Sequence, residues 1–386
     1  MGKDMTEPEN IETGAAKACS CCCVPEEPLS DKPSCCGPSY TVGAGDIDET
    51  VPGFLGWLST SAGRVPQIAS ELTLRDRFGA WKARWGIGRM DYMVPAGLYA
   101  IGTPAANDPV LVTANYKMSY DIVRRAMTGR SVWLLVLETF GVNVWCAAGK
   151  GTFGTAELVA RIHKTGLAEV VAHRRLILPI LGAPGIAAHE VQKRTGFMVS
   201  YATIRANDLT DYLENGMVTT PEMRELTFSF RERLVLVPVE LMLAWRSLAI
   251  AGVLLFAAAY LVAGPTAGIR VLAAFLGAAL SGLVATPLLL PCLPGRSFSL
   301  KGAVAGILWL AFFFALSGFQ GVNTWVIAAA FLALPAVSSY YALSFTGCTT
   351  FTSRSGVKKE MRIALPLMGL ALLLGGVLAL LGLLLK

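Results

Sequence analysis

Apolar positions along this chain fall into two regimes. Between about residue 51 and residue 240, short apolar runs alternate with amphipathic stretches that carry most of the charge. From about 241 onward the apolar runs are long and almost unbroken. In the first regime Val132-Trp133-Leu134-Leu135-Val136-Leu137 reads as a strand buried on both faces, as in a parallel sheet. Val110-Leu111-Val112 reads as another, ending at Thr113-Ala114-Asn115. Between them Ser119 is the expected cap of a helix with Tyr120, Val123 and Met127 on its inner stripe, closed by Gly129. The two strands and this helix form a predicted right-handed βαβ unit. After the second strand a further helix is expected, with Thr155 at its N-cap, Glu157 in its first turn and Gly166 past its end. Val170-Val171 and Leu176-Ile177-Leu178 follow as strand material, then Gly182-Ala183-Pro184-Gly185 as a loop, a helix over 187–194 and a strand over 197–201. Asp208 starts a short helix stopped by Gly216, and Thr220-Pro221-Glu222 is a further helix start with proline at N1. The pattern is that of an α/β domain.

The second regime contains five charge-free runs, 247–264, 271–290, 302–319, 324–345 and 363–385, each long enough to cross a bilayer core. An all-α membrane domain of five transmembrane helices is expected over 241–386. With the N-terminus inside, the inner loops hold Arg296, Lys301, Arg354, Lys358, Lys359 and Arg362, against Arg270 and Lys386 outside. The excess of inner cations predicts a multi-pass protein of the cytoplasmic membrane, its α/β domain (51–240) in the cytoplasm and its C-terminus outside. Charge-free spans argue for an anchor rather than an ion path. Small residues such as Gly277, Gly282, Gly375 and Gly376 are the expected packing points.

Composition agrees with this division. Of 386 residues 54% are hydrophobic and 16% charged, too apolar for one soluble globule. Residues 1–50 are rich in Cys, Pro, Glu and Ser and read as a disordered tail; the first sixty residues contain no apolar core of a secretion signal. The net charge of +6 is dispersed and often flanks the spans. It points to anionic lipid heads and away from nucleic acid. Between Arg75 and Arg89, Phe78, Trp81 and Trp85 share one side of a short helix interleaved with basic residues, a segment for the membrane interface or for packing into the domain.

The candidate chemistry lies in Asn143-Val144-Trp145-Cys146-Ala147-Ala148-Gly149-Lys150 and the following Gly151-Thr152-Phe153-Gly154. A single thiol, Cys146, sits in the crossover after a parallel strand and near a helix N-terminus. Open α/β sheets hold ligands at that edge, and a cysteine there is biased toward thiolate. Thr113 and Asn115 end the neighbouring strand on the same edge, so both can reach one ligand. Gly149-Lys150-Gly151-Thr152 is not a phosphate-binding P-loop, since Val144 stands where the first glycine belongs and Gly151 where a Ser or Thr would hold magnesium. A buried structural cysteine is the bland alternative. His163, at the end of the central helix, suits the dipole as a cation; His163-Lys164-Thr165-Gly166 half matches a cobalamin motif whose aspartate position is Arg161. His173 and His189 have no ligand spacing.

The stretch 143–150 resembles the cap-helix motif of the mercury-methylating corrinoid protein family (HgcA). The resemblance runs from about Trp85 to about Leu241 and includes Val112-Thr113-Ala114-Asn115-Tyr116-Lys117 and His173-Arg174-Arg175-Leu176-Ile177-Leu178-Pro179. The same region is similar to the cobalamin-binding end of the corrinoid iron–sulfur protein large subunit, which has no such cysteine. The resemblance implies a Rossmann-like corrinoid-binding domain and a base-off, cobalamin-type cofactor with the Cys146 thiolate as lower axial ligand of cobalt. The implied activity is transfer of a methyl group from methyl-Co(III) to Hg(II), making methylmercury. Thr113, Asn115, Asn143, Val144, Trp145, Ala147, Ala148, Gly149, Lys150, Gly151, Thr152, Phe153 and Gly154 are then the expected cofactor-binding residues. Asn143 caps the turn, Trp145 packs on the ring or the sheet, and Ala147, Ala148 and Gly149 leave room for a flat macrocycle.

Implied partners are a methylated-folate donor or its methyltransferase and a two-[4Fe-4S] ferredoxin (HgcB), since this chain has no ferredoxin-type cysteine run. Cys19, Cys21, Cys22, Cys23 and the pair Cys35-Cys36 are soft-metal ligands by type; capture of Hg(II) by Cys35 and Cys36 stands beside a tail with no role in turnover. Two other functions stay open: a corrinoid carrier with a carbon or sulfur acceptor, and a mercury-binding or mercury-transporting membrane protein, for which Cys292 and Cys348 near inner loops are further thiols.

Overall fold

A computed structural model describes residues 49–318, 322–349, 352 and 354–385. Cys19, Cys21, Cys22, Cys23, Cys35 and Cys36, with the tail reading built on them, lie outside the described residues.

Seven strands form one sheet: β1 (Phe54–Thr60), β2 (Gly63–Ile68), β3 (Gly97–Ile101), β4 (Val110–Ala114), β5 (Val132–Leu137), β6 (Arg175–Leu178) and β7 (Met198–Tyr201). Their order is β1-β2-β3-β5-β4-β6-β7. β5, β4, β6 and β7 are mutually parallel, and β3 joins β5 antiparallel. From β4 the chain crosses to β5 on one side and later to β6 on the other, so the winding direction reverses between β4 and β6. The helices of this domain are α1 (Leu74–Arg84), α2 (Lys117–Ala126), α3 (Val144–Lys150), α4 (Thr155–Lys164), α5 (Leu167–Val170), α6 (Ala188–Thr195) and α7 (Leu209–Glu214).

Every residue of β5 is buried, as its unbroken apolar run requires. Trp133, Leu135 and Leu137 enter one core with Leu158 and Ile162 of α4 and Val191 of α6. Val132, Leu134 and Val136 enter a second with Tyr120 of α2 and Tyr212 of α7. The sheet is covered on both faces.

Several local expectations shift. Helix α2 starts at Lys117 with Tyr116 as an N-cap that makes no side-chain bond, so Ser119 is already inside the first turn. Thr155 is the first residue of α4, not its cap; its hydroxyl accepts from Ala187 N at 2.8 Å instead. Val170 closes α5 and Val171 joins no strand, leaving Arg175–Leu178 alone as β6. β1 and β2 lacked a clear signal because β1 is half exposed and β2 contains Pro66.

Five helices are long and apolar enough to cross a membrane: α8 (Phe230–Ala263), then Pro265–Leu288, Phe298–Ser317, Thr324–Ser344 and a last one covering Ser355–Leu384. α8 begins well before position 247 and runs through the expected domain boundary at 240. Ser229 and Glu232 start it with a reciprocal cap, Ser229 N donating to Glu232 Oε2 at 2.6 Å. Lys301 lies within the third of these helices, buried, its Nζ donating to the carbonyls of Leu290 and Leu293. Gly277 abuts Trp309, Gly282 abuts Ser338, and Gly375 abuts Ala333, as small residues at helix crossings should. Gly376 meets no neighbour.

Candidate functional site

The loop from β5 to α3 is built around one buried amide. Asn115 Oδ1 accepts from Thr139 N (3.1 Å), Thr139 Oγ1 (2.9 Å) and Gly141 N (3.1 Å), while its Nδ2 donates to Glu138 Oε1 at 2.6 Å. Glu138 Oε1 also accepts from Phe140 N at 2.8 Å. The turn passes through Gly141 at φ 68°, where Met90 O lies 3.1 Å from the position a Cβ would take. Asn115 thus shapes the approach to α3, its Oδ1 taken up by three donors and its Nδ2 donating to Glu138.

Asn143 caps α3, its Oδ1 accepting from Cys146 N at 2.9 Å. The helix then divides by face. Ala147 and Ala148 point into the core with Phe153, which is fully buried. Trp145, Cys146, Gly149 and Lys150 are exposed, and 146, 149 and 150 follow one another at helical spacing. Cys146 is a free thiol. A Cβ at Gly149 would meet nothing within 4 Å, so this face is open to a flat group. Gly151 ends α3 in the left-handed conformation at φ 83°.

Behind α3 sits the turn Ile180–Gly185. A Cβ on Gly185 would fall 2.1 Å from Phe153 O and 3.1 Å from Ala148 Cα, and one on Gly182 would fall 2.5 Å from Phe153 Cε1. The two glycines let the turn press against the inner face of α3. In the fold they support the helix from behind.

Beside α3 a cleft of about 300 Å³ opens at the carboxyl ends of β4 and β6. That is the reversal point of the winding, where open α/β sheets place ligands. Its wall includes Thr113, Asn143, Val144 and Trp145, with Ile122, Pro179, Leu181 and Ile204 supplying apolar surface. Of the expected cofactor residues, Thr113, Asn143, Val144 and Trp145 line the cleft. Cys146, Gly149, Lys150 and Gly151 are on the exposed side of the same helix. Ala147, Ala148, Phe153 and Gly154 are buried beneath it, and Thr152 Oγ1 bonds back to Ala147 O at 3.4 Å. Ile122 and Leu181 were not singled out in the sequence, and Ser119 only as a helix cap; their place at the cleft depends on β6 lying beside β4, which no local pattern announces.

On the other face of the sheet, four buried charges interlock. Lys117 Nζ meets Asp76 Oδ1 and Asp121 Oδ2, both at 2.6 Å. Arg124 meets Asp76 Oδ2 at 2.8 Å and Asp121 Oδ1 at 2.9 Å, and donates to the carbonyls of Ala69 and Glu71. Burial pushes the Asp76 carboxyl up, but hydrogen bonds from Lys117 and Thr73 outweigh it and hold the group well below the usual carboxylate range. This cluster fixes α1 to α2. On α1, Phe78 and Trp81 are exposed and stacked at 5.8 Å, and Gly86 after the helix faces Met242 of α8. His163 is exposed in the last turn of α4, His173 bridges Asp108 O (2.9 Å) and Arg175 N (3.2 Å), and His189 is exposed on α6. Among the described residues no three of His, Cys, Asp and Glu gather as a metal site.

Fold and site define an α/β domain with an apolar cleft and an open thiol at its sheet edge, joined, among the described residues, to five membrane-capable helices. Residues 88–213 match the model of a protein family, the CO dehydrogenase/acetyl-CoA synthase delta subunit. The acetyl-CoA decarbonylase/synthase complex subunit gamma of Methanopyrus kandleri is 33% identical over 123 residues, 31% of this chain and 26% of that protein. The subunit gamma of Methanocaldococcus jannaschii is 32% identical over 129 residues, 33% of this chain and 26% of its own length. That of Archaeoglobus fulgidus is 32% identical over 128 residues, 33% and 27% respectively. The chain spans about a quarter of the length of the relatives it matches, and the matched stretch covers β3 to α7, the part that holds the cleft and Cys146.

Proposed function

We propose that this is a membrane-held methyl-transfer protein whose Rossmann-like domain binds a corrinoid, with Cys146 as the lower ligand of its cobalt and Hg(II) as the methyl acceptor. The observation that carries the reading is the position of Cys146: an exposed free thiol, held by the Asn143 cap, beside an apolar cleft at the reversal point of the sheet. The residues fit a planar macrocycle. Gly149 leaves the face open, Trp145 offers half-exposed aromatic surface next to the thiol, and Ala147, Ala148 and Phe153 anchor the helix from below.

A bound corrinoid would supply the methyl-transfer chemistry, and the Cys146 sulfur would be the group of this chain that holds and tunes it. The chain's part is to hold the sulfur still. Asn115 orders the loop, Asn143 fixes the first turn of α3, and the 180–185 turn braces the helix from behind, so the thiol presents one geometry. Thr113, Val144 and Trp145 line the cleft and would border the group there. Two electrons would come from an iron–sulfur partner of the two-cluster ferredoxin type and the methyl group from a methylated folate. The five apolar helices would hold the domain on the cytoplasmic side of the membrane, the C-terminus lying outside.

Optical and EPR spectra of the purified corrinoid-loaded protein test the ligand. Wild type is expected to give a sulfur-ligated cobalt signature and to form methylmercury; Cys146→Ala should retain part of the corrinoid and lose both. Normal methylmercury output from Cys146→Ala would sink the assignment. A second reading, a carrier delivering methyl groups to a carbon or sulfur acceptor, is favoured by the similarity to subunits of an acetyl-CoA decarbonylase/synthase complex. Methyl transfer to a carbon or sulfur acceptor, with none to Hg(II), would select it.

A further inference from the structure

The cleft continues past its apolar wall. Ile122, Ile204 and Ala206 also border a second cavity of about 530 Å³, which runs between α1, α2, the 204–207 loop and the first turn of α8. Arg77, Arg84, Arg125 and Arg205 line it. Two carboxylates face it as well, and both are engaged. Asp121 is held by Lys117 and Arg124 at 2.6 and 2.9 Å. Glu232 is held by Arg205 at 2.9 Å and by Ser229 N at 2.6 Å. Arg77, Arg84 and Arg125 have no acidic partner among the described residues. The Nε of Arg84 is closed off from solvent without a hydrogen-bond partner there, a state that buried donors rarely keep unless something absent from the fold completes it.

Three guanidiniums without an ion-pair partner line one cavity, Arg77 and Arg125 exposed and Arg84 half-buried, and their planar donors match phosphate oxygens. The adjoining cleft is apolar, so one ligand can fill both with an apolar part and a phosphate. We propose that Arg77, Arg84 and Arg125 hold the phosphate of a ligand whose apolar part occupies the cleft; on the corrinoid reading above, on which this rests, that phosphate is the phosphodiester of the cofactor's nucleotide arm. A lipid phosphate is the competing source, since the neighbouring Arg233 of α8 donates to the Leu288 carbonyl at the end of the second apolar helix; the lipid arm of the test separates the two.

The test is equilibrium dialysis of the full-length protein in nanodiscs against cobalamin, which carries the phosphodiester arm, and cobinamide, which lacks it. Arg77→Gln/Arg125→Gln and Arg84→Gln are compared with wild type. Wild type should bind cobalamin about tenfold or more tighter than cobinamide, in line with charge-assisted hydrogen bonds. The variants should lose that preference while binding cobinamide within about twofold of wild type, which also reports that they are folded. Equal wild-type affinity for both compounds would overturn the arginine assignment and leave the corrinoid reading standing. Failure of both compounds to bind would remove the corrinoid reading and this inference with it. A cobalamin preference that disappears when phosphatidylglycerol replaces phosphatidylcholine in the discs would assign the arginines to a lipid phosphate and overturn the proposal.

Discussion

Helices α2 and α3 leave the carboxyl ends of adjacent parallel strands, yet they are built in opposite ways. The first two turns of α2 carry Lys117, Asp121 and Arg124, all buried and all tied to one another or to Asp76 of α1. α3 has one capping bond from Asn143, a buried floor of Ala147 and Ala148, and an upper face of Cys146, Gly149 and Lys150 that touches little else. These three charges on α2 are consumed by the fold. The thiol on α3 is withheld from it. A polar group that the fold does not need, held in place by groups that do little else, marks a site.

Breaking the consolidated helix should have the largest effect. Arg124→Met leaves Asp76 and Asp121 short of a buried partner and should cost about 3–5 kcal/mol, read as a large fall in melting temperature of the detergent-solubilised protein. A fall of less than a degree would mean that the cluster does not hold α1 to α2. Next comes the floor under α3: Gly185→Ala drives a Cβ into Phe153 O and Ala148, with an expected cost of about 1–3 kcal/mol from overpacking and loss of the geometry at Cys146. Asn143→Ala removes the cap and should cost about 1 kcal/mol, while speeding exchange of the Cys146 amide. Cys146→Ala should change stability by less than about 0.5 kcal/mol, because the thiol is exposed and unbonded. A marked destabilisation by that last change would make the cysteine structural and erase the contrast between the helices.

The same comparison has a pH arm. Asp76 titrates lower in the folded than in the unfolded chain, so its stabilising contribution is complete above the ordinary carboxylate range. It is lost as pH falls below that range. Acid titration followed by Trp fluorescence should show stability dropping below about pH 4, and Asp76→Asn should weaken that dependence at a cost already present at neutral pH.

Much of the sheet was legible because its strongest signals are local. The six apolar residues 132–137 form β5 as expected, and the Asn143 cap, the Glu157 first turn and the five apolar runs all fall where the pattern puts them. The misreadings share one cause. Ser119 and Thr155 have the chemistry of caps, yet tertiary hydrogen bonds and sheet geometry set the helix starts three residues and one residue earlier. Asn115, placed at the sheet edge by its strand, also orders a loop that lies beyond it in the chain, which the sequence did not announce. α8 runs on below its charge-free part because the Ser229–Glu232 cap lies far upstream of the bilayer signal.

The sequence by itself determined the division into an α/β domain and five apolar helices, and it singled out Cys146, because hydrophobic period and run length need no distant partner. Only the tertiary structure decided which residues meet that cysteine and which lie beneath it. Setting β6 beside β4 opens the cleft, bringing α1 against α2 buries four charges, and both joinings close over long stretches of chain. The three arginines without partners become visible only then, since a cation counts as uncompensated only when everything packed around it is known.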